Sequence, residues 1–98
     1  MTELILPIIA SAASEYDVTI EDILSRSRRR DVSEARHMAM LIAREKLGLT
    51  YPYLGSLFDR RHSAVIIGTR ELKNHMSVYK RTRQRYEKIL ANYEKWVQ

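Results

Sequence analysis

Four arginines fall within the five residues Arg26-Ser27-Arg28-Arg29-Arg30. A guanidinium is planar, permanently charged and forked, so its N–H donors match the oxygens of a phosphate or the acceptor edge of a base. A cluster this dense, with no acid inside it, points to a polyanion. A second group begins at Arg61-His62-Ser63 and continues through Ile67, Arg70 and Asn74. Ser63, Ile67, Arg70 and Asn74 are spaced to share one helix face. In a major groove Arg70 and Asn74 can donate to base edges or phosphates, and Ile67 offers the apolar contact that a thymine methyl takes. The competing reading packs Ile67 on the last helix. A third set, Ser33, Arg36, His37, Met40 and Arg44, also shares a helix face. The expectation is an outward strip that continues the arginine loop and contacts phosphates; the alternative is a solvated face without a partner.

Other chemistries lack their residues. His37, His62 and His75 make no H-x-x-x-H pair, and no acid pair accompanies them as ligands, so no metal site is expected. His62 and Ser63 are neighbours on one helix, where side chains diverge by about 100°, so they form no nucleophile–base pair. His62 is expected to cap its helix or contact DNA. Glu21-Asp22 opens a helix and is no catalytic dyad. With no cysteine, zinc fingers, iron–sulfur clusters and disulfides are excluded. Neither G-x-G-x-x-G nor G-x-x-x-x-G-K-[ST] occurs, so nothing cradles a nucleotide. The expectation is no enzyme and no cofactor.

Charge is distributed unevenly. Residues 1–25 carry five acids and no Lys or Arg, whereas residues 26–98 carry all seventeen basic side chains and only seven acids. Most of the basic residues are arginine. The body of the chain thus has the charge of a nucleic-acid binder. No stretch approaches the ~20 apolar residues of a membrane span, and Met1-Thr2-Glu3 lacks the positive region of a signal peptide. The expected location is the cytoplasm, with no membrane partner.

The elements that must position these groups read as all-α: a small helical bundle with an extended helix-turn-helix and an additional C-terminal amphipathic helix. Ninety-eight residues, 45% of them hydrophobic, suffice for one small core. Leu4, Ile5, Ile8, Ile9 and Ala12 make a stripe on a helix over about 2–14, with Pro7 near its start. Asp17-Val18 reads as a turn, and Thr19 to Asp22 has the spacing of a capping box for a short helix. Asp31 is expected to cap a helix over about 32–47, with Glu34 also in a capping role. Residues 38–43 are apolar nearly all round, which makes this the buried central helix. Gly48 is its left-handed stop. Thr50 caps a short helix to Phe58, with Pro52 in its first turn. Asp59-Arg60-Arg61 is a tight turn, and a helix follows over about 62–76 with Val65, Leu72 and Met76 inward. Two helices joined so tightly fit a helix-turn-helix. A last helix covers about 78–97.

Those residues carry a family resemblance. Ser27-Arg28-Arg29-Arg30-Asp31-Val32, Ala35-Arg36-His37-Met38-Ala39-Met40, Ala43-Arg44-Glu45, Gly48-Leu49-Thr50-Tyr51-Pro52-Tyr53-Leu54-Gly55 and Arg61-His62-Ser63-Ala64-Val65 resemble the C-terminal DNA-binding domain of the bacterial replication initiator DnaA. The resemblance covers about residues 3–76 and implies a Trp repressor-like fold that binds double-stranded DNA. It implies that the second helix of the motif enters the major groove and that Arg28, beside Arg26, Arg29 and Arg30, reaches the minor groove. It implies a phosphate contact from Arg36, with His37 at the family's following polar residue, Arg44 at a basic residue and Tyr51-Pro52 at the family's Leu-Pro. Arg61-His62-Ser63-Ala64 stands where the family has Asp-His-Thr-Thr, and the turn with Arg60 is one residue shorter than the family's. An acceptor suited to cytosine becomes Arg61, a donor suited to guanine, so a different site is expected, each changed contact being worth about 1–3 kcal/mol. The family's nucleotide-hydrolysing module would need a phosphate loop. Its absence leaves site-specific binding in replication or transcription control, and both a free-standing relative and a fragment of a larger initiator-like protein fit.

The expected division is a helix-turn-helix domain over 1–76 and a C-terminal helix over 77–98. Tyr79, Thr82, Tyr86, Ile89, Tyr93 and Trp96 make a heptad seam, flanked by Lys80, Arg81, Arg83, Arg85 and Lys88. The seam either covers the chain's own core or pairs with a second copy as a homodimer, which would suit two DNA half-sites. Two rivals stand beside duplex DNA binding: a protein-interaction module docking an acidic partner, and RNA binding. The second is disfavoured because single-strand readers expose aromatic platforms.

Overall fold

The computed structural model describes residues 2–97, and the side chains of residues 4–97. The chain folds into six helices: α1 (Thr2–Tyr16), α2 (Ile20–Leu24), α3 (Arg30–Leu47), α4 (Tyr51–Phe58), α5 (His62–Val78) and α6 (Lys80–Trp96). No strand occurs among the described residues. No described helix is long and apolar enough to cross a membrane.

The local stops and starts follow side-chain chemistry. Thr19 accepts from the Asp22 amide at 2.9 Å while Asp22 accepts from the Thr19 amide at 3.1 Å, closing a capping box. Thr50 accepts from the Tyr53 amide at 3.2 Å and opens α4. Gly48, at φ +66°, ends α3 in the left-handed region, where a Cβ would be strained.

Around α3 the core is assembled. Val32, Ala35, Met38, Ala39, Met40, Leu41, Ile42 and Ala43 are all buried there. α1 and α2 pack on α3 from one side and α5 from the other, while α4 packs on α5. α6 folds back across α1 and α5, placing Ile89 and Tyr93 in the same core cluster and burying Thr82. Of the heptad seam, the middle is covered and Tyr86 is half-buried, whereas its two ends, Tyr79 and Trp96, are exposed. The Tyr86 hydroxyl donates to Glu45 of α3, and Arg85 lies 4.4 Å over the ring of Tyr16 at the end of α1.

The start of α3 departs from expectation. The helix begins at Arg30, and the cap position is Arg29, which makes no side-chain cap bond. Asp31 lies inside the first turn, where its Oδ1 accepts from the Val32 amide at 2.8 Å while the carboxylate pairs with Arg29 at 3.2 Å. An acid is favourable there through the helix dipole, so the residue type was informative while the register was off by two. Glu34 has no capping role; it accepts from the Tyr16 hydroxyl.

A larger departure concerns Arg36. It was expected on an outward strip, but it is 3% exposed. Its Nε donates to the Ile23 carbonyl at 2.7 Å, Nη1 to Ser27 at 3.2 Å, and Nη2 to Ser25 at 2.9 Å and Asp22 at 3.2 Å. These carbonyls belong to the C-terminal end of α2 and the loop behind it, where a cation also meets the negative end of the helix dipole. Met40, expected on the same strip, is buried beneath it. Along this strip Arg36 meets α2 and the arginine loop, His37 meets Gly68 of α5 and Arg44 meets Tyr51 of α4.

Two expectations about stability follow. Arg36→Ala removes a donor from four carbonyls and leaves those of Ile23 and Ser27 without their side-chain partner, which should cost about 3 kcal/mol in chemical denaturation. Arg36→Lys should recover only part of it, because an ammonium has no fork; full recovery would show that charge alone holds the loop. Gly55→Ala should also destabilise, by about 1–2 kcal/mol, although Ala is the better helix former by about 1 kcal/mol. A Cβ at Gly55 would stand 2.5 Å from the Arg60 carbonyl oxygen in the turn. An unchanged denaturation midpoint would mean that the turn yields.

Candidate nucleic-acid interface

The turn between α4 and α5 fixes the geometry of the site. Asp59 ends α4 in the left-handed region at φ +53°, and the Arg60 amide donates to the Gly55 carbonyl at 2.8 Å. The chain reverses over Gly55, whose missing side chain makes the space. α5 then starts with Arg61 at the cap position and no side-chain cap bond. His62, expected as a cap, is the first helical residue instead; it is exposed, as are Arg61, Ser63 and Ala64.

Along α5 the two faces separate. Val65, Thr69, Leu72 and Met76 are buried, while Ser63, Ile67, Arg70 and Asn74 are exposed. Ile67 is 46% exposed and lines a groove with Arg26, Arg61, Ser63 and Ala64. Gly68 lets α3 and α5 approach: a Cβ there would stand 2.3 Å from Nε2 of His37. Burial, with the charges of Arg36 and Arg60 added, holds the His37 imidazole below its ordinary pKa, so the ring is neutral near pH 7. His37 therefore packs between helices as a neutral side chain, half-buried at the groove wall.

The start of the arginine loop is fastened to this turn by two contacts. Arg26 pairs with Asp59 at 2.7 Å, and Arg60 Nη2 donates to the Ser25 carbonyl at 3.1 Å. Arg60 Nη1 also donates to the carbonyls of Phe58 and Asp59. Arg36 holds the same Ser25 carbonyl from α3. As a result one groove is lined by Arg26, Ser27 and Arg28 of the loop, by Arg60 of the turn and by Ala64 of α5. Arg28 and Arg30 are exposed beside it. Arg29 is exposed too, and its guanidinium holds the Asp31 carboxyl below the usual carboxylate range.

The other side of α5 carries a second basic groove. Arg44 lies 4.0 Å over the ring of Tyr51 and donates to the Leu49 carbonyl at 2.9 Å. Both line this groove with Arg70, Lys73 and Asn74. Lys73 was absent from the sequence-based candidates, and its spacing of three from Arg70 was the available signal. The exposed face of α5 is thus bordered by arginine on both sides. Arg36 is 3% exposed where it lines the first groove, His37, Arg44, Tyr51 and Arg60 are half-buried, with Arg44 and Arg60 tied to backbone carbonyls, and the other candidates are exposed. No group of three or more His, Asp or Glu able to hold a metal ion occurs among the described residues.

Comparison with known proteins places this arrangement. The sequence pattern of the bacterial DnaA protein helix-turn-helix matches residues 5–72. The chain is similar to chromosomal replication initiator protein DnaA 1 of Chlamydia muridarum, at 38% identity over 69 residues, 70% of this chain and 15% of that protein. It is similar to DnaA 1 of Chlamydia pneumoniae at 43% over 65 residues, covering 66% and 14% of the two chains. DnaA of Oleidesulfovibrio alaskensis is 36% identical over 70 residues, covering 71% and 15%. The matched segment is a small fraction of each of these relatives and holds α2 to α4 whole, with most of α1 and α5. With the turn, the uncapped α5 and the matched residues together, the chain belongs to the bacterial DnaA C-terminal helix-turn-helix family.

Proposed function

We propose that this protein binds double-stranded DNA at a specific sequence, with the start of α5 in the major groove and the loop Arg26–Arg30 at the minor groove and backbone. The observation that carries this reading is the shared groove in which Arg26 and Arg28 stand beside Arg60 and Ala64. Two separate sequence signals meet there on one surface. Arg61, His62, Ser63, Ala64, Ile67 and Arg70 are placed to read base edges or to flank them. Arg44, Lys73 and the loop arginines are placed to hold phosphates. Arg36 acts behind this surface as a positioning residue. The reading is of binding without catalysis, and the relatives' names direct it first to chromosome replication and next to transcription control.

Neutralising about 5–7 phosphates gives a slope of log affinity against log salt of about −4.5 to −6.3. Arg28→Ala should weaken binding to all duplexes and lower the slope by about 1. Arg61→Ala should instead relax preference at one base position by about 1–3 kcal/mol. Selection of bound duplexes from a random pool, followed by fluorescence anisotropy across a salt series, measures all three. A slope near zero on duplex DNA would sink the reading, and equal behaviour of the two variants would remove the division between backbone and base contacts.

A further inference from the structure

α6 carries charge that its packing does not use. Its covered side is Thr82, Ile89 and Tyr93, with Tyr86 at the margin. At 100° per residue, Arg81, Arg85, Lys88, Asn92 and Lys95 line one flank of that side, and no acid falls among them. Glu87 and Glu94 fall on the opposite flank with Lys80 and Arg83, where Arg83 pairs with Glu87 at 3.5 Å. A surface helix arranged for its own stability interleaves acids and bases three or four apart, and keeps cations away from its positive N-terminal end. α6 instead opens with Lys80, Arg81 and Arg83 and has no acid in its first turn.

The acid-free flank has a definite neighbour. Arg81 and Arg85 line a groove together with Arg29 and Arg30. Arg30 and His75 continue from it into a groove shared with Arg28 and His37, and Arg28 and His37 in turn border the groove that reaches Ala64. Asp31 and Glu34 also lie in the first groove, but Asp31 is paired with Arg29 and Glu34 accepts from the Tyr16 hydroxyl. Among the described residues neither Arg81 nor Lys88 is paired with a carboxylate.

We propose that Arg81, Lys88 and Lys95 form a second phosphate track, by which α6 holds the backbone of the same duplex beyond the segment gripped by the helix-turn-helix. The proposal rests on the duplex-binding reading above and adds a surface to it. α6 lies outside residues 5–72, so the match to the DnaA pattern implies nothing about it. The partner is duplex backbone rather than an acidic protein because the flank is continuous with the loop arginines. The fifteen-residue helical stretch from Arg81 to Lys95 rises about 21 Å over its fourteen steps, the axial length of about six base pairs. The track therefore engages only duplexes that extend past the recognised segment.

The test compares two variants that lose the same charge, Arg81→Gln/Lys88→Gln and Lys80→Gln/Arg83→Gln. Each is titrated with a duplex of about 30 base pairs and with one trimmed to about 12, across a salt series, with circular dichroism to check the fold. On the long duplex Arg81→Gln/Lys88→Gln should flatten the salt slope by about 1.8, and on the short duplex it should match wild type. Lys80→Gln/Arg83→Gln should change the long-duplex slope by less than half as much. Equal losses from both variants would reduce the effect to net charge and overturn the track, as would no loss from either. In both of those cases steep wild-type binding leaves the helix-turn-helix reading standing, whereas a flat wild-type slope removes both proposals.

Discussion

The arrangement depends on one buried guanidinium. Arg36 has no carboxylate partner; its charge is met by four backbone carbonyls, at the end of α2 and along the loop that follows. Burying a cation is costly unless its donors are satisfied, and burying carbonyls is costly unless they accept. Each side removes the other's penalty. No apolar residue could serve, because it would leave the Ile23 and Ser27 carbonyls without this donor, and lysine could not span the four. The loop between α2 and α3 is thereby held in one place without a strand, a disulfide or a metal.

That fixation bears on recognition. A five-residue run of serine and arginine would otherwise sample many conformations, and each residue ordered on binding costs affinity. Here the order is installed in the fold. Arg36 grips the loop from α3, Arg60 grips it from the turn, and Arg26 reaches across to Asp59. The exposed Arg26–Asp59 pair is weak, of the order of 1 kcal/mol or less, so Arg26 remains available to a phosphate. The stronger backbone bonds do the positioning; of the exposed loop arginines, Arg26 and Arg29 make only exposed ion pairs, with Asp59 and Asp31.

Much of this was legible residue by residue. Thr19, Thr50 and Gly48 announced three helix boundaries because each residue type solves a particular backbone problem. The division of α5 into Val65, Leu72 and Met76 against Ser63, Ile67 and Arg70 followed from the helix period. Arg36 was misplaced for an instructive reason. A helical wheel correctly grouped it with Ser33, His37, Met40 and Arg44, but a wheel describes a face and not what covers it. α2 is five residues long and the loop carries almost no apolar signal, so nothing local revealed that they lie across that face. The pairing is between Arg36 and carbonyls, which have no sequence identity to read. The role of Gly55 was hidden likewise, since the partner of its absent Cβ is the backbone of Arg60.

The helix starts suggest how stability was divided from recognition. α2 and α4 are capped by Thr19 and Thr50. α3 and α5 have arginine at the cap position and no side-chain cap bond. A missing cap costs about 1 kcal/mol of helix stability. In α3 Asp31 offsets part of it by accepting from the Val32 amide. α5 has no acid in its first turn and no such offset. Its first amides and its positive dipole end face the same side as Arg61 and the loop. In isolation this is an unfavourable accumulation of positive charge. Against a duplex the same feature becomes favourable, because phosphate oxygens satisfy the amides and the dipole together. An uncapped α5 is therefore consistent with the duplex reading proposed above, in which phosphate would stand at the helix start.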